Sequence, residues 1–202
     1  MKTANWRTGM LYTNTTYTFL FGFVFGAWAV SEMLGPVRWS RVRKGSQRDQ
    51  GSFLLSLLGG SLGVVLALLF PLLLPSAHLP WQPLPFFVGT ALVCAGASWR
   101  WYAICTLGRF FTASIIIQEN HSLVQDGPYK LIRHPSYSGV LVLIVGIGLM
   151  IGNGLSLFLL TTSVLAGILY RIRVEEQELL RHFGEAYADY RQRTKRLVPF
   201  VF

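Results

Sequence analysis

Long apolar runs separated by short polar connections restrict the folds open to this sequence. A helix of about 20 apolar residues is long enough to cross the hydrocarbon core of a bilayer. The sequence therefore predicts an all-α integral membrane protein with about five transmembrane helices, forming one domain over residues 1–202. The five runs are Tyr17 to Leu34, Phe53 to Leu74, Phe86 to Thr106, Ser138 to Ile151 and Leu155 to Tyr170.

The connections between these runs differ in kind. The stretch 75–85 holds Pro75, Pro80, Pro83 and Pro85, which predicts a rigid, non-helical connection. The last two runs have about 15 residues each and are short for a full span. Because only three residues at 152–154 join them, we expect a helical hairpin with its polar ends drawn close to the hydrocarbon.

The distribution of positive charge predicts an orientation. The formal net charge is +9, and 15 of the 18 lysines and arginines fall in segments 38–48, 109–133 and 171–196. The connections at 75–85 and 152–154 carry none. This asymmetry is typical of cytoplasmic loops, so we expect the N-terminus outside and the C-terminus inside. It also argues against nucleic acid as the partner of the basic segments.

The third apolar run contains polar side chains that need an interpretation. Cys94 and Cys105 have no CxxC partner, and we expect both to be small buried side chains. Arg100 lies near the predicted inner end of this helix, among Trp99, Trp101 and Tyr102. We expect its guanidinium to extend along the helix towards the interface.

Residues 118–137 form a polar segment between two apolar runs. Asp126-Gly127-Pro128 is a turn signal, and Pro135 disfavours helical geometry at the residue before it. A bend here exposes backbone groups that can bind an adenine edge or a carboxylate. The rings of Tyr129 and Tyr137 can contact a purine or a sulfonium. The alternative is an interfacial loop with aromatic anchors.

A second polar segment, 171–190, follows the last apolar run. Arg171 and Glu175 are spaced i,i+4 and therefore share one helix face at the membrane boundary. Ionisable groups at this depth need partners. Two interpretations remain open from the residues alone: a surface salt bridge, or two groups of a binding site.

Taken together, the two segments resemble a known family. Residues 86–202 are similar in motif order and spacing to the isoprenylcysteine carboxyl methyltransferase family of membrane enzymes, with residues 1–85 as two further helices. The matching motifs are His121-Ser-Leu-Val124, Gly127-Pro-Tyr129, Arg133-His-Pro-Ser-Tyr137, Arg171 with Glu175-Glu176, Phe183-Gly184 with Tyr187 and Tyr190, and Pro199-Phe200.

The resemblance implies a cofactor and roles for individual residues. The methyl donor is S-adenosylmethionine, Arg171 contacts the substrate, and Arg171 and Glu175 serve catalysis. Gln118 matches a cofactor-binding glutamine across a gap. The remaining cofactor contacts that the resemblance implies are His121, Ser122, Leu123, Val124, Tyr129, His134, Pro135, Ser136, Tyr137 and Glu175.

The expected reaction is methyl transfer to the carboxylate of an isoprenylcysteine or a similar lipophilic acceptor. A carboxylate, with an ordinary pKa near 4, is already ionised at pH 7 and needs no general base. Phosphatidylethanolamine N-methylation is the enzymatic alternative, but an arginine beside the nucleophile disfavours an ammonium acceptor. A reductase on a similar helical scaffold is a further option, and a membrane scaffold or small transporter is the non-enzymatic one.

Short basic loops resemble those of prokaryotic members of the family. The expected location is therefore the inner membrane of a prokaryote, with the site facing the cytoplasm. We expect contact with membrane lipid and no metal ion.

Overall fold

The structure is a computed structural model that describes residues 14–39, 45–47, 51–81, 83–111, 116–118 and 122–199. Six α-helices build this described part of the protein. The helices are α1 (Thr15–Trp39), α2 (Ser52–Leu73), α3 (Leu84–Leu107), α4 (Pro135–Ile151), α5 (Gly154–Phe183) and α6 (Glu185–Arg193). Short 3₁₀ turns lie at Pro75–Ala77, Gly108–Phe110 and Gly127–Lys130. Two of these helices, α2 and α5, are long and apolar enough to cross a membrane.

The helix α3 packs antiparallel against α4 through glycines spaced seven residues apart. An added Cβ at Gly96 would lie 2.6 Å from the Gly139 carbonyl oxygen, and one at Gly89 would lie 2.5 Å from that of Gly146. Small residues let helix backbones approach closely where lipid supplies no hydrophobic driving force between helices. This contact fixes α4, which begins at Pro135, against the helix that carries Arg100.

Gly96→Ala should test this packing. The new methyl group has backbone on its opposite side, so the two helices must separate, and we expect a loss of about 1–3 kcal/mol in the free energy of unfolding. Gly59→Ala is the matched control, because its added Cβ meets nothing within 4 Å. Thermal unfolding in detergent is the measurement. Equal melting temperatures for the two variants would contradict the close approach.

The hairpin between α4 and α5 is confirmed. Gly152 adopts a φ of +76°, which favours glycine, and the Asn153 side chain caps α5 by accepting from the Ser156 amide. Asn153 also donates to the Leu74 carbonyl at 3.1 Å, and the Ser156 hydroxyl donates to that of Ala67 at 2.8 Å. These hydrogen bonds hold the turn against the end of α2.

Serine hydroxyls continue this contact between α2 and α5. Ser163 donates to the Gly59 carbonyl at 2.6 Å, and Ser56 donates to the Gly167 carbonyl at 3.2 Å. Interhelical hydrogen bonds of this kind stabilise helix pairs in apolar surroundings. The two helices therefore form a second packed pair, and α5 also packs against α4.

One structural expectation needs correction, and the structure adds a strand pairing that was not predicted. As the i,i+4 spacing of Arg171 and Glu175 implied, the last helix continues unbroken past Tyr170 to Phe183, since Arg171 to Leu180 has strong helix formers and no glycine or proline. Residues Gly45–Gln47 (β1) pair antiparallel with Ile116–Gln118 (β2), a long-range pairing without a local signal. Cys94 and Cys105 are exposed rather than buried, because the outer face of a membrane helix is apolar as well.

Helix α1 lies at the edge of the bundle. Its Tyr17 ring makes an edge contact with Phe86 of α3 at 4.8 Å between centroids. Phe21, Phe25 and Trp28 pack against the core and are partly buried, whereas Phe19 and Phe23 are each 75 % exposed. One face of α1 therefore meets α3, and the other is apolar and faces outward.

Candidate functional site

A cavity of about 600 Å³ lies between the helices near the end where α4 begins. Pockets of about 300–1,000 Å³ with convergent polar groups are typical ligand sites. One part of the wall is apolar and includes Phe53, Leu57 and Val164. The sequence-predicted residues that line it are Leu123, Val124, Tyr129, His134, Ser136, Tyr137, Arg171 and Glu175.

The remaining predicted residues have other positions. Ser122 is exposed, and Pro135 is buried at the start of α4; neither lines the cavity. His121 lies outside the described residues. Gln118 is the last residue of β2, and its side chain is not described.

Arg171 and Glu175 are joined through a tyrosine. The Arg171 Nε donates to the Tyr137 hydroxyl at 2.7 Å, and this hydroxyl donates to Glu175 Oε2 at 2.9 Å. Arg171 is only 8 % exposed, and the Glu175 side chain is 30 % exposed. The i,i+4 spacing predicted a shared helix face, and the structure places Tyr137 between the two charges.

The C-terminal residues 194–197 hold the polar segment in place. The amide of Arg133 donates to the Lys195 carbonyl at 2.8 Å, and that of His134 donates to the Arg196 carbonyl at 3.0 Å. The Ser138 hydroxyl donates to the Leu197 carbonyl. This C-terminal strap fixes the backbone that enters α4, and with it the side chains at 134–137.

Glu176 is the buried anchor of the same region. Its side chain is 6 % exposed and accepts from Arg133 Nε at 2.9 Å and from Arg196 Nη2 at 3.0 Å. Glu176 does not line the cavity, whereas its neighbour Glu175 does. The paired glutamates therefore have different environments: one faces the cavity, and the other binds two arginines behind it.

His134 lies between the two glutamates. Its ring stacks on Tyr137 at 5.7 Å between centroids. Its Nδ1 lies 3.9 Å from Glu175 Oε2, and its Nε2 lies 3.5 Å from Glu176 Oε1. Within the described part of the chain, Nε2 is buried and makes no hydrogen bond.

Tyrosines from the C-terminal helix complete this end of the cavity. The Tyr190 hydroxyl donates to the Tyr129 carbonyl at 2.7 Å. Burial raises the pKa of the Tyr129, Tyr187 and Tyr190 phenols above the ordinary value. All three therefore stay protonated at neutral pH; the Tyr129 and Tyr190 hydroxyls donate to backbone carbonyls.

A second charged pair lines the cavity and was not predicted. Arg100 turns inward and donates through Nε and Nη2 to the two Glu32 oxygens at 2.5 and 2.6 Å. Its Nη1 donates to the Ser136 hydroxyl at 2.6 Å. The sequence suggested a side chain that can extend towards the interface, and the structure gives its guanidinium a carboxylate partner on α1.

Comparison of the sequence with known proteins supports the resemblance that these motifs indicate. Residues 89–181 match the model of the isoprenylcysteine carboxyl methyltransferase (ICMT) family. Protein-S-isoprenylcysteine O-methyltransferase B of Arabidopsis thaliana is 41 % identical over 115 residues, covering 56 % of this chain and 58 % of that protein. The Schizosaccharomyces pombe protein-S-isoprenylcysteine O-methyltransferase is 32 % identical over 111 residues, covering 54 % and 47 %. The match thus spans about half to three fifths of each relative.

A solved structure has the same fold. The eukaryotic intramembrane Ras methyltransferase ICMT aligns with a TM-score of 0.57 and 23 % identity over 90 % of this chain and 68 % of that one. At this identity the likeness concerns the fold, and it agrees with the predicted all-α membrane class. With the family match over residues 89–181, the predicted resemblance is confirmed for this part of the chain: it is similar to the isoprenylcysteine carboxyl methyltransferase family.

Proposed function

We propose that the protein transfers a methyl group from S-adenosylmethionine to the carboxylate of a lipophilic acceptor, such as an isoprenylcysteine, at the membrane. The observation that carries this proposal is the Arg171–Tyr137–Glu175 chain on the wall of a cavity that is otherwise largely apolar. The names of the relatives supply the reaction class, and the cavity supplies suitable groups for both reactants.

The cavity fits S-adenosylmethionine by its chemistry. Glu175 offers a partly exposed carboxylate to the ammonium group of the cofactor. The rings of Tyr129 and Tyr137 lie on the wall and suit a sulfonium or a purine, because aromatic faces attract cations and stack on bases. Leu123 and Val124 add apolar surface beside them.

When bound, S-adenosylmethionine supplies an electrophilic methyl group. The chain's own task is to position the acceptor and exclude water. Arg171 has a planar guanidinium suited to a carboxylate, and its bond to Tyr137 fixes one edge of that group. Burial of Arg171 removes competing water from the carboxylate, so that orientation and desolvation lower the barrier. A carboxylate oxygen would form the ester bond to the methyl carbon as the sulfur–methyl bond breaks and the sulfonium leaves as a neutral thioether, with no proton transfer.

The acceptor class follows from the rest of the wall. Phe53, Leu57, Val164 and Ile168 present apolar side chains, which suits a hydrocarbon chain. An ammonium acceptor such as phosphatidylethanolamine would place two positive groups together at Arg171. The buried arginine therefore favours an anionic acceptor.

Calorimetry with S-adenosylhomocysteine on detergent-purified protein tests the cofactor. We expect saturable binding, and an absence of binding at millimolar concentration would contradict the proposal. Turnover of a farnesylated cysteine derivative tests the acceptor class, with a derivative lacking the carboxylate as the control. Equal turnover of both compounds would exclude the carboxylate as the methyl acceptor.

The proposed location is the inner membrane of a prokaryote with the site facing the cytoplasm. Its support is the concentration of arginine and lysine in segments 38–48, 109–133 and 171–196. Under this proposal residues 75–85 lie outside. If an impermeant reagent added from outside labels a cysteine introduced at Gln47, the orientation is the reverse of the one proposed.

A further inference from the structure

The first helix supplies a charged side chain to a site whose family match begins much later in the chain. Glu32 lies on α1, outside residues 89–181, yet it lines the cavity beside Arg100. The Trp28 indole donates to Glu32 Oε1 at 3.2 Å. Glu32 is thus held by its own helix as well as by α3.

Arg100 binds Glu32 with the fork geometry that orients a guanidinium most firmly. Two donors, Nε and Nη2, engage the two carboxylate oxygens separately, and bidentate pairs fix the plane of both groups. The Arg100 side chain is 13 % exposed and that of Glu32 is 27 % exposed. In such surroundings each charge depends on the other, since an unpaired buried charge is costly.

The third donor of Arg100 reaches Ser136. The Ser136 hydroxyl accepts from Nη1 at 2.6 Å, is 9 % exposed and lines the cavity. A hydroxyl that accepts from a cation still has its own proton to donate. The charged pair therefore fixes the direction of this O–H group, which is next to Tyr137 in the chain.

We propose that Glu32 and Arg100 are positioning residues for the cofactor site: Glu32 orients the Arg100 guanidinium, which orients the Ser136 hydroxyl towards the bound cofactor. This inference rests on the proposed function. It assigns a role in the site to α1, which otherwise meets the bundle mainly through aromatic contacts.

The substitution Arg100→Lys tests whether the site needs the geometry of the guanidinium or only its positive charge. Arg100→Lys keeps the positive charge opposite Glu32, but one ammonium group cannot make the bidentate contact and reach Ser136 in the same arrangement. If the pair serves only stability, Arg100→Lys should bind S-adenosylhomocysteine as the wild type does. If the pair positions Ser136, affinity should fall about tenfold, the scale of one lost hydrogen bond.

The decisive experiment is a double-mutant cycle on cofactor affinity. Calorimetry with S-adenosylhomocysteine compares the wild type, Arg100→Lys, Ser136→Ala and the double variant. Positioning through Ser136 predicts that each single change weakens binding about tenfold and that the double variant is no weaker than either, because both remove one interaction. Additive losses, or unchanged affinity in Arg100→Lys, would overturn the inference.

Further variants show whether a loss of cofactor affinity is caused by a folding defect. Glu32→Gln and Arg100→Gln each leave one charge without its partner, whereas the combined variant removes both charges. The combined variant should recover thermal stability without recovering affinity; recovery of both would assign the pair a structural role only. Arg181→Gln is the control for affinity, since Arg181 pairs with the buried Glu178 outside the cavity and loss of this pair should leave cofactor binding unchanged. Failure of the wild type to bind would instead contradict the proposed function and this inference with it.

Discussion

Arg171→Ala is expected to abolish methyl transfer, with a fall of about 100-fold or more in kcat/KM, the effect of removing one preorganised donor from a reacting oxygen. Cofactor affinity should change less, because Arg171 is assigned to the acceptor. Glu175→Ala should instead reduce cofactor affinity more than it reduces methyl transfer from bound cofactor. Loss of its charge-assisted contact should weaken S-adenosylhomocysteine binding about 10- to 100-fold. Paired measurements of affinity and turnover separate the two roles.

Arg173→Ala and Glu185→Ala are the matched controls for these changes. Both side chains are exposed on the same C-terminal region, and neither lines the cavity. Tyr137→Phe removes the hydroxyl that joins Arg171 to Glu175 while keeping the ring, so it should impair both affinity and turnover. Wild-type affinity in Glu175→Ala, together with a lowered melting temperature, would assign Glu175 to stability instead.

Local spacing was enough to predict part of this site. The i,i+4 interval placed Arg171 and Glu175 on one face of a helix, and the turn signals at Asp126-Gly127-Pro128 predicted the bend before α4. Both features depend on residues close in sequence. The structure agrees with each, because helix geometry and turn chemistry are local properties.

Contacts between residues far apart in sequence were not predicted, and the reason is physical. Glu32 and Arg100 lie 68 positions apart, and nothing in either apolar run indicates which face meets the other. The C-terminal strap was likewise absent from the predicted fold, since backbone hydrogen bonds from Arg133 to Lys195 carry no side-chain pattern. For the same reason the sequence did not separate the roles of Glu175 and Glu176.

Glu176→Ala should cause the largest loss of stability. Glu176 accepts from Arg133 and Arg196, and removing it leaves the Arg133 guanidinium, with its side chain only 8 % exposed, without its carboxylate. Breaking one side of a buried ion pair costs about 3–5 kcal/mol. The strap that fixes the entry to α4 should loosen as well, which would weaken cofactor binding indirectly.

Thermal unfolding measured with and without S-adenosylhomocysteine distinguishes this anchoring role from a direct contact. An anchor predicts a strongly lowered melting temperature in the absence of ligand, whereas Glu185→Ala, on an exposed carboxylate, should leave it unchanged. Glu176→Gln should fall between the two, because an amide oxygen still accepts one hydrogen bond but does not balance two arginines. An unchanged melting temperature combined with lost affinity would instead place Glu176 in contact with the cofactor, contrary to its position behind the cavity wall.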